Sequence, residues 1–141
     1  PIILDGAMQF DLGALPADAR ITSAQVSLMG MSRVYFDPGT GGTWRLSLLD
    51  SSVDMNWTQL NYYQIHNAGV KAMSPTALTG ADLVVGDANT FDVTNAAPAL
   101  QERLRTTRRA SFRISLDSSY GIGRTIFGWT AQPVLRITYT R

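Results

Sequence analysis

The chain has 141 residues, a formal net charge of +1 at pH 7 and no cysteine. This length fits one domain with an adequate core, so we expect a single domain over residues 1–141. The low net charge excludes a strong field for collecting nucleic acid or anionic membrane. The lack of cysteine excludes disulfides, thiolate catalysis and Cys-ligated zinc. Only 16% of the residues are charged, below the usual ~25%, so part of the surface is expected to be uncharged or hidden against a partner.

The amino-terminal residues lack the basic segment, the long apolar run and the cleavage site of a secretion signal. We expect Pro1 to follow a removed initiator Met in a protein made in the cytoplasm. The alternative is that Pro1 marks a cleavage or a boundary within a longer, secreted protein. No apolar run reaches the roughly 18 residues of a membrane span, so no membrane partner is predicted.

Two strands are predicted next, joined by a turn that contains Leu15 and Pro16. Apolar and polar residues alternate in both, which is the pattern of a strand with one buried face. The apolar positions are Met8, Phe10 and Leu12 in the first strand and Ala24, Val26 and Leu28 in the second.

Further strands follow over 33–36, 43–50, 111–117 and 133–141, with two short strands in 82–94 and a long packed loop with strand fragments over 57–69. Many strands separated by turns, without long helices between them, predict an all-β fold. We expect an antiparallel, jelly-roll-like β-sandwich.

One short α-helix is predicted over residues 95–106. Asn95 is its candidate cap, and Pro98 lies in the first turn, where its missing N–H costs nothing. Leu100 and Leu104 form a narrow apolar stripe.

The order of these features resembles the DNRLRE-type β-sandwich module, a family of cell-surface, carbohydrate-associated and some virion proteins. The family pattern has a strand ending in Phe-Asp-Leu, a Leu-Pro turn, a strand beginning Ile-Thr-Ser-Ala, an Asp-Val-Thr before a short helix, and a Pro-led last strand. The matching segments here are 10–12, 15–16, 21–28, 92–94 with 96–104, and 133–139.

Two departures from the family pattern bear on function. The stretch from Trp57 to Gln59 lacks the family's acidic residue, and Tyr62 and Tyr63 stand where a second Trp is expected. The family's additional strand before Phe-Asp-Leu is missing, which would leave an edge open to strand addition. Three interpretations of Pro1, Ile2, Ile3 and Leu4 stay open, namely an ordinary first strand, an acceptor edge, and a strand donated to another chain.

No catalytic constellation is recognised in the sequence. The single histidine, His66, has no orienting partner nearby in the chain, so it is interpreted as an ordinary polar loop residue. Asp50, Asp54 and Asn56 loosely resemble a calcium loop but lack its central Gly and terminal Glu, and self-capping turns explain them better. We therefore expect no enzyme, no cofactor and no metal.

Two sets of residues are candidates for partner contact. Trp57, Tyr62 and Tyr63 lie in the irregular segment and could stack on sugar rings. The arginines of the basic run 103–109 either cap the helix and solvate the following loop, or pair with carboxylates of a neighbouring subunit. These arginines are Arg103, Arg105, Arg108 and Arg109. No aromatic residue interleaves them, which argues against a nucleic-acid site.

These observations predict a structural protein whose partner is protein, either another copy or a capsid lattice. The expected function is a bacteriophage-type virion surface protein, a capsid decoration or cement protein made in the host cytoplasm. The alternatives are a carbohydrate-binding or adhesive module of a secreted or surface protein, and a subunit of an extracellular filament.

Overall fold

Two antiparallel β-sheets packed face to face form the body of the protein in its computed structural model, which describes residues 5–34, 43–116, 126–129 and 132–141. The five-stranded sheet contains β1 (Gly6–Asp11), β3 (Thr43–Leu49), β4 (Val70–Met73), β5 (Leu78–Thr79) and β7 (Arg109–Leu116). The four-stranded sheet contains β2 (Arg20–Val34), β6 (Ala88–Asp92), β8 (Ile126–Trp129) and β9 (Val134–Thr140). The predicted fold class, an antiparallel β-sandwich with one short helix, is confirmed.

Although this sheet contains four strands, at most three of them lie side by side at any position along β2. Its order is β6-β2-β8, and β9 also pairs with β2. Strand β8 pairs with the last part of β2, and β9 pairs with the first part, up to Ser27. The strands β8 and β9 therefore follow one another along the same side of β2, opposite β6.

The core lies between the sheets and contains the alternating apolar residues that the sequence predicts. Leu12, Ala24, Val26 and Leu28 are buried, and Met8 and Phe10 pack against them partly exposed. Buried apolar side chains of the other predicted strands include Trp44, Leu46, Leu48, Phe91, Val93, Phe112 and Ile114. Tyr139 is 38% exposed because it lies near the end of β9.

The predicted helix is shorter than its sequence pattern. A 3-10 turn, Thr94–Ala96, leads into α2 (Ala97–Arg103), and Pro98 lies in the first turn as expected. Leu100 and Leu104 are buried as predicted. The expected cap at Asn95 is wrong, since the helix begins after Ala96 and the Asn95 amide instead donates to the Met73 carbonyl at 2.6 Å.

Two further predictions differ from the structure, one of a loop and one of a pair of strands. Segment 57–69 is not a loop with strand fragments, because it forms a 3-10 turn, Trp57–Gln59, and the helix α1 (Tyr62–His66). The signal for α1 is a capping box, in which the side chains of Asn61 and Gln64 each accept the other's backbone N–H. Segment 82–94 contains one strand, β6, rather than two.

The two sheets differ on their outer faces. Segment 50–69 lies across the five-stranded sheet, where the Ser111 hydroxyl on β7 donates to Asp54 and the Arg113 guanidinium donates to the carbonyls of Ile65 and His66. We call this surface the covered face. We call the outer surface of the four-stranded sheet the open face, since no described element buries it. Its residues are Gln25, Ser27, Met29, Ala88, Thr90, Asp92, Val134, Arg136 and Thr138.

Candidate functional site

The predicted sugar-stacking residues lie on the segment that crosses the covered face. Tyr63 is 73% exposed and Tyr62 is 40% exposed, whereas Trp57 is half-buried. The rings of Tyr62 and Tyr63 meet edge to face with centroids 5.5 Å apart. The structure therefore brings the two tyrosines together on the surface and leaves Trp57 less accessible than predicted.

His66 has an orienting partner, contrary to the sequence-based interpretation. Its Nδ1 lies 2.6 Å from Oδ2 of Asp5, whose side chain is only 2% exposed. The imidazole also stacks on Tyr62, with ring planes 18° apart. Sequence reasoning missed this pair because 61 residues separate its members, and only the antiparallel path of β1 beside β7 brings them together.

The Asp5–His66 pair holds the imidazole in one orientation, which is one element of an acid–base site. The pKa of Tyr62 is raised by partial burial and by the nearby Asp5 carboxylate, so the phenol stays neutral at physiological pH. Among the described residues, no three His, Asp, Glu or Cys side chains cluster in a way that could hold a metal ion.

The structure divides the four predicted arginines into two pairs. Arg103 is 3% exposed, and its Nη1 donates to Oδ2 of Asp54 at 3.0 Å while its Nη2 donates to the Leu49 carbonyl. Burial removes Arg103 from the expected partner surface. Its carboxylate partner comes from the same chain, across the end of the sandwich.

Asp54 is the centre of a buried polar cluster. Its carboxylate accepts hydrogen bonds from Arg103, from the Thr107 hydroxyl at 2.6 Å and from the Ser111 hydroxyl at 2.7 Å. Gln9 on β1 donates to the Asp54 carbonyl at 2.7 Å. The calcium-loop resemblance of 50–56 thus has a structural origin. Asp50 caps a 3-10 turn by accepting from the Ser52 N–H, as the self-capping interpretation predicts, whereas Asp54 forms an ion pair.

Arg108 is also used inside the chain. Its guanidinium donates to the Leu104 carbonyl at 2.6 Å and to the carbonyls of Gly13 and Leu15 at 3.1 and 2.7 Å. The first of these bonds caps α2, which agrees with the predicted capping role of the basic run. Arg108 has a φ of 57°, in the left-handed region that few non-glycine residues adopt, so these bonds offset a local strain.

The other two arginines, Arg105 and Arg109, are exposed. Arg105 borders a shallow depression of about 470 Å³ between α2 and the start of β2, lined also by Ala97, Pro98 and Gln101. The Gln101 side-chain oxygen accepts the Ile21 N–H there, so this oxygen is already bound within the chain. The predicted edge residues Pro1, Ile2, Ile3 and Leu4 lie outside the described residues.

The open face is the surface that sequence reasoning did not single out. Its outward side chains are short or uncharged, apart from Asp92 on β6 and Arg136 on β9. Met29 is 43% exposed and Val134 is 54% exposed on this face. Two hydrogen bonds to Thr94 lower the pKa of Asp92, so its carboxylate is ionised at neutral pH. Neither Asp92 nor Arg136 forms an ion pair with another described residue.

Comparison with family models, with curated proteins and with solved structures finds no match in any of the three. Within the described ranges, no helix is long and apolar enough to cross a membrane. The site residues are therefore interpreted from their own geometry.

Proposed function

We propose that the protein is a non-enzymatic structural protein of a virion, a decoration or cement protein that docks on the capsid lattice of a bacteriophage-type particle. The observation that carries this proposal is the open face, an exposed sheet surface with few charges and with apolar Met29 and Val134. Flat surfaces of this kind are suited to repeated non-covalent docking, because little charge must be desolvated on contact.

The contacts of Arg103, Asp54 and Arg108 within the chain also support the proposal. Arg103 and Asp54 satisfy each other in the interior, and Arg108 binds backbone carbonyls. Groups used in this way maintain the sandwich and are not free to act on a substrate. The resemblance to the DNRLRE-type module, some members of which are virion proteins, points in the same direction.

The proposal is tested on virus-like particles from cultures of the organism in which this sequence is encoded. Virus-like particles are purified on a density gradient, and copies of this chain per particle are counted by quantitative mass spectrometry against the major shell protein. A decoration protein is expected in a fixed, high ratio that survives repeated banding. Absence from banded particles would contradict the proposal, and location in host cytoplasm without particles would do the same.

A second candidate function rests on a different observation, the exposed pair Tyr62 and Tyr63 beside the oriented His66. Exposed aromatic rings held by neighbours can stack on sugars, which fits the alternative of a carbohydrate-binding or adhesive module. A glycan array on the wild-type chain and on Tyr63→Ala tests it. Tyr139→Ala is the matched control, since Tyr139 is also exposed but lies on β9. Binding that is lost only with Tyr63→Ala would favour this function.

The third alternative, a filament subunit that donates Pro1, Ile2, Ile3 and Leu4 as a strand, is separated from the others by electron microscopy of the concentrated chain. Filaments that disappear on deletion of residues 1–4 would favour it. Particles or dispersed molecules would count against it.

A further inference from the structure

We propose that the open face binds the open face of a second copy of this chain, in a two-fold pairing that joins Asp92 of each copy to Arg136 of the other. This inference rests on the proposed function and deepens it: of the two protein partners, another copy and the capsid lattice, it assigns the open face to another copy, so that contact with the shell would use a different surface. Neither charge forms an ion pair with another residue in the part of the chain that the structure describes.

One row of three residues crosses the open face. Gln25 on β2 is aligned with Asp92 on β6 on one side and with Arg136 on β9 on the other. Neighbouring strands lie about 4.8 Å apart, so the backbones that carry the two charges are roughly 10 Å apart. Asp92 and Arg136 thus lie one strand away from Gln25, on opposite sides of β2.

This arrangement is self-complementary under one symmetry operation. A two-fold axis that runs parallel to β2, midway between two facing sheets, exchanges left and right across the strands. It places Asp92 of each copy opposite Arg136 of the other, which forms two ion pairs per dimer. A two-fold axis across the strands would instead keep β6 opposite β6 and β9 opposite β9, and would leave the charges unmatched. Two-fold, isologous dimers are the commonest homo-oligomers, and the ion pairs favour the first axis over the second.

The residues between the charges fit the same arrangement. On the axis, Gln25 meets Gln25 of the second copy, and an amide carries both donors and an acceptor. Met29 and Val134, exposed in the single chain, would be covered. Arg20, at the start of β2, is also exposed, but it lies roughly 16 Å along the strand from Gln25, away from the row that carries Asp92 and Arg136.

The contact area sets the strength of the pairing. Three strands of about seven residues cover roughly 300 Å² of flat sheet per copy, below the roughly 800 Å² that each partner buries in a standard specific interface. The free chain is therefore expected to dimerise weakly, with a dissociation constant in the range of about 10 µM to 1 mM. Chains held side by side on a lattice would pair far more completely, because their effective concentration is high.

The experiment is sedimentation equilibrium of the full chain over a concentration series, with a charge-swap cycle. Arg136→Glu and Asp92→Lys each bring like charges together and should weaken dimerisation at least about tenfold. The double variant Asp92→Lys/Arg136→Glu recreates both ion pairs and should recover the wild-type constant to within about threefold. Arg105→Glu, which changes the charge outside the open face, is the matched control and should leave dimerisation unchanged.

Folding must be checked, because Asp92 also accepts the Thr94 N–H at 2.8 Å. Asp92→Asn keeps an acceptor there and removes only the charge, so it should weaken the dimer without changing the free energy of unfolding by more than about 0.5 kcal/mol. Arg136→Glu does not touch that bond and provides the cleaner single variant. A monomer at every concentration would overturn the pairing, as would a dimer that neither single charge reversal weakens or the double variant fails to restore.

These results are distinguishable from the particle experiment. A monomeric chain that nevertheless bands with particles in a fixed ratio would overturn the pairing and leave the proposed function intact. A charge-dependent dimer that is absent from particles would support the pairing and contradict the decoration role.

Discussion

The outer faces of the two sheets have the same architecture and opposite environments. On the covered face, the outward residues Ser47 and Ser111 are 1% and 0% exposed because segment 50–69 lies above them. On the open face, Ser27 and Thr90 occupy equivalent outward positions, and their hydroxyls bond to each other at 2.9 Å, accessible to solvent. Outward hydroxyl side chains are therefore buried on the covered face and accessible to solvent on the open face.

The two faces therefore differ in the role of their polar groups. Those of the covered face contribute to stability, whereas those of the open face are proposed to contact a partner. The covered face needs Asp54 and Arg103 to satisfy each other, since an unpaired charge in that position would be strongly destabilising. On the open face, Asp92 and Arg136 are exposed, and neither forms an ion pair with another described residue. Substitutions that respect this division should change either folding or association, and the expected effects can be ranked.

The largest effect is expected from Asp54→Ala. The substitution leaves the Arg103 guanidinium buried without its carboxylate and removes acceptors for Thr107 and Ser111, so unfolding should become easier by about 3–5 kcal/mol. Urea denaturation followed by Trp fluorescence measures this change. Asp18→Ala is the control, because the Asp18–Arg141 pair is exposed and 3.6 Å long, and it should cost less than about 0.5 kcal/mol. Similar losses in the two variants would remove the distinction between the buried and the exposed pair.

The next effect compares the two faces with one chemical change. Ser111→Ala removes a buried donor to Asp54 and should destabilise the chain by about 1–3 kcal/mol. Ser27→Ala removes the exposed bond to Thr90 and should change stability by no more than about 0.5 kcal/mol. Both are measured by the same denaturation curve. Equal costs would mean that segment 50–69 does not exclude water from the covered face.

A change of opposite sign is expected at Ser47. Its hydroxyl is buried and has no hydrogen-bond partner among the described residues, so Ser47→Ala should stabilise the chain by up to about 1 kcal/mol. Thermal unfolding should show a higher Tm than wild type. A lower Tm would show that this hydroxyl has a partner, such as an ordered water.

The smallest effect concerns pH. Hydrogen bonds from backbone N–H groups lower the pKa values of Asp50, Asp82 and Asp92, with Ser52, Thr79 and Thr94 as the respective donors. Because these pKa values are lower in the folded chain than in the unfolded chain, the stabilisation is present above the ordinary aspartate pKa. It is lost as the pH falls through the folded value.

All three carboxylates are near the surface, so each contributes less than about 0.5 kcal/mol. Stability curves between pH 7 and about pH 2 should flatten slightly in Asp82→Asn, which keeps an acceptor but cannot titrate. An unchanged slope would contradict the contribution of Asp82.

The alternation of Ala24, Val26 and Leu28 was sufficient to predict both the strand and its buried face, because a two-residue period places every second side chain on the same side. Leu100 and Leu104 likewise predicted the helix and its buried stripe. The boundaries were less accurate. Asn95 looks like a cap in sequence, but its amide binds Met73 across the sandwich, so a tertiary contact replaced the local one.

The candidate site could not be predicted to the same degree. In the sequence, Arg103 belongs to a run of arginines that is predicted to lie on the surface. Only the fold shows that its partner is Asp54, 49 positions away. The Asp5–His66 pair is hidden for the same reason. The order of residues sets which faces of an element are apolar, because that depends on neighbours a few positions apart. The fold brings distant segments together, and this decides which polar groups meet and which sheet face stays exposed. The periodicity of residues within one element contains no information about such long-range contacts.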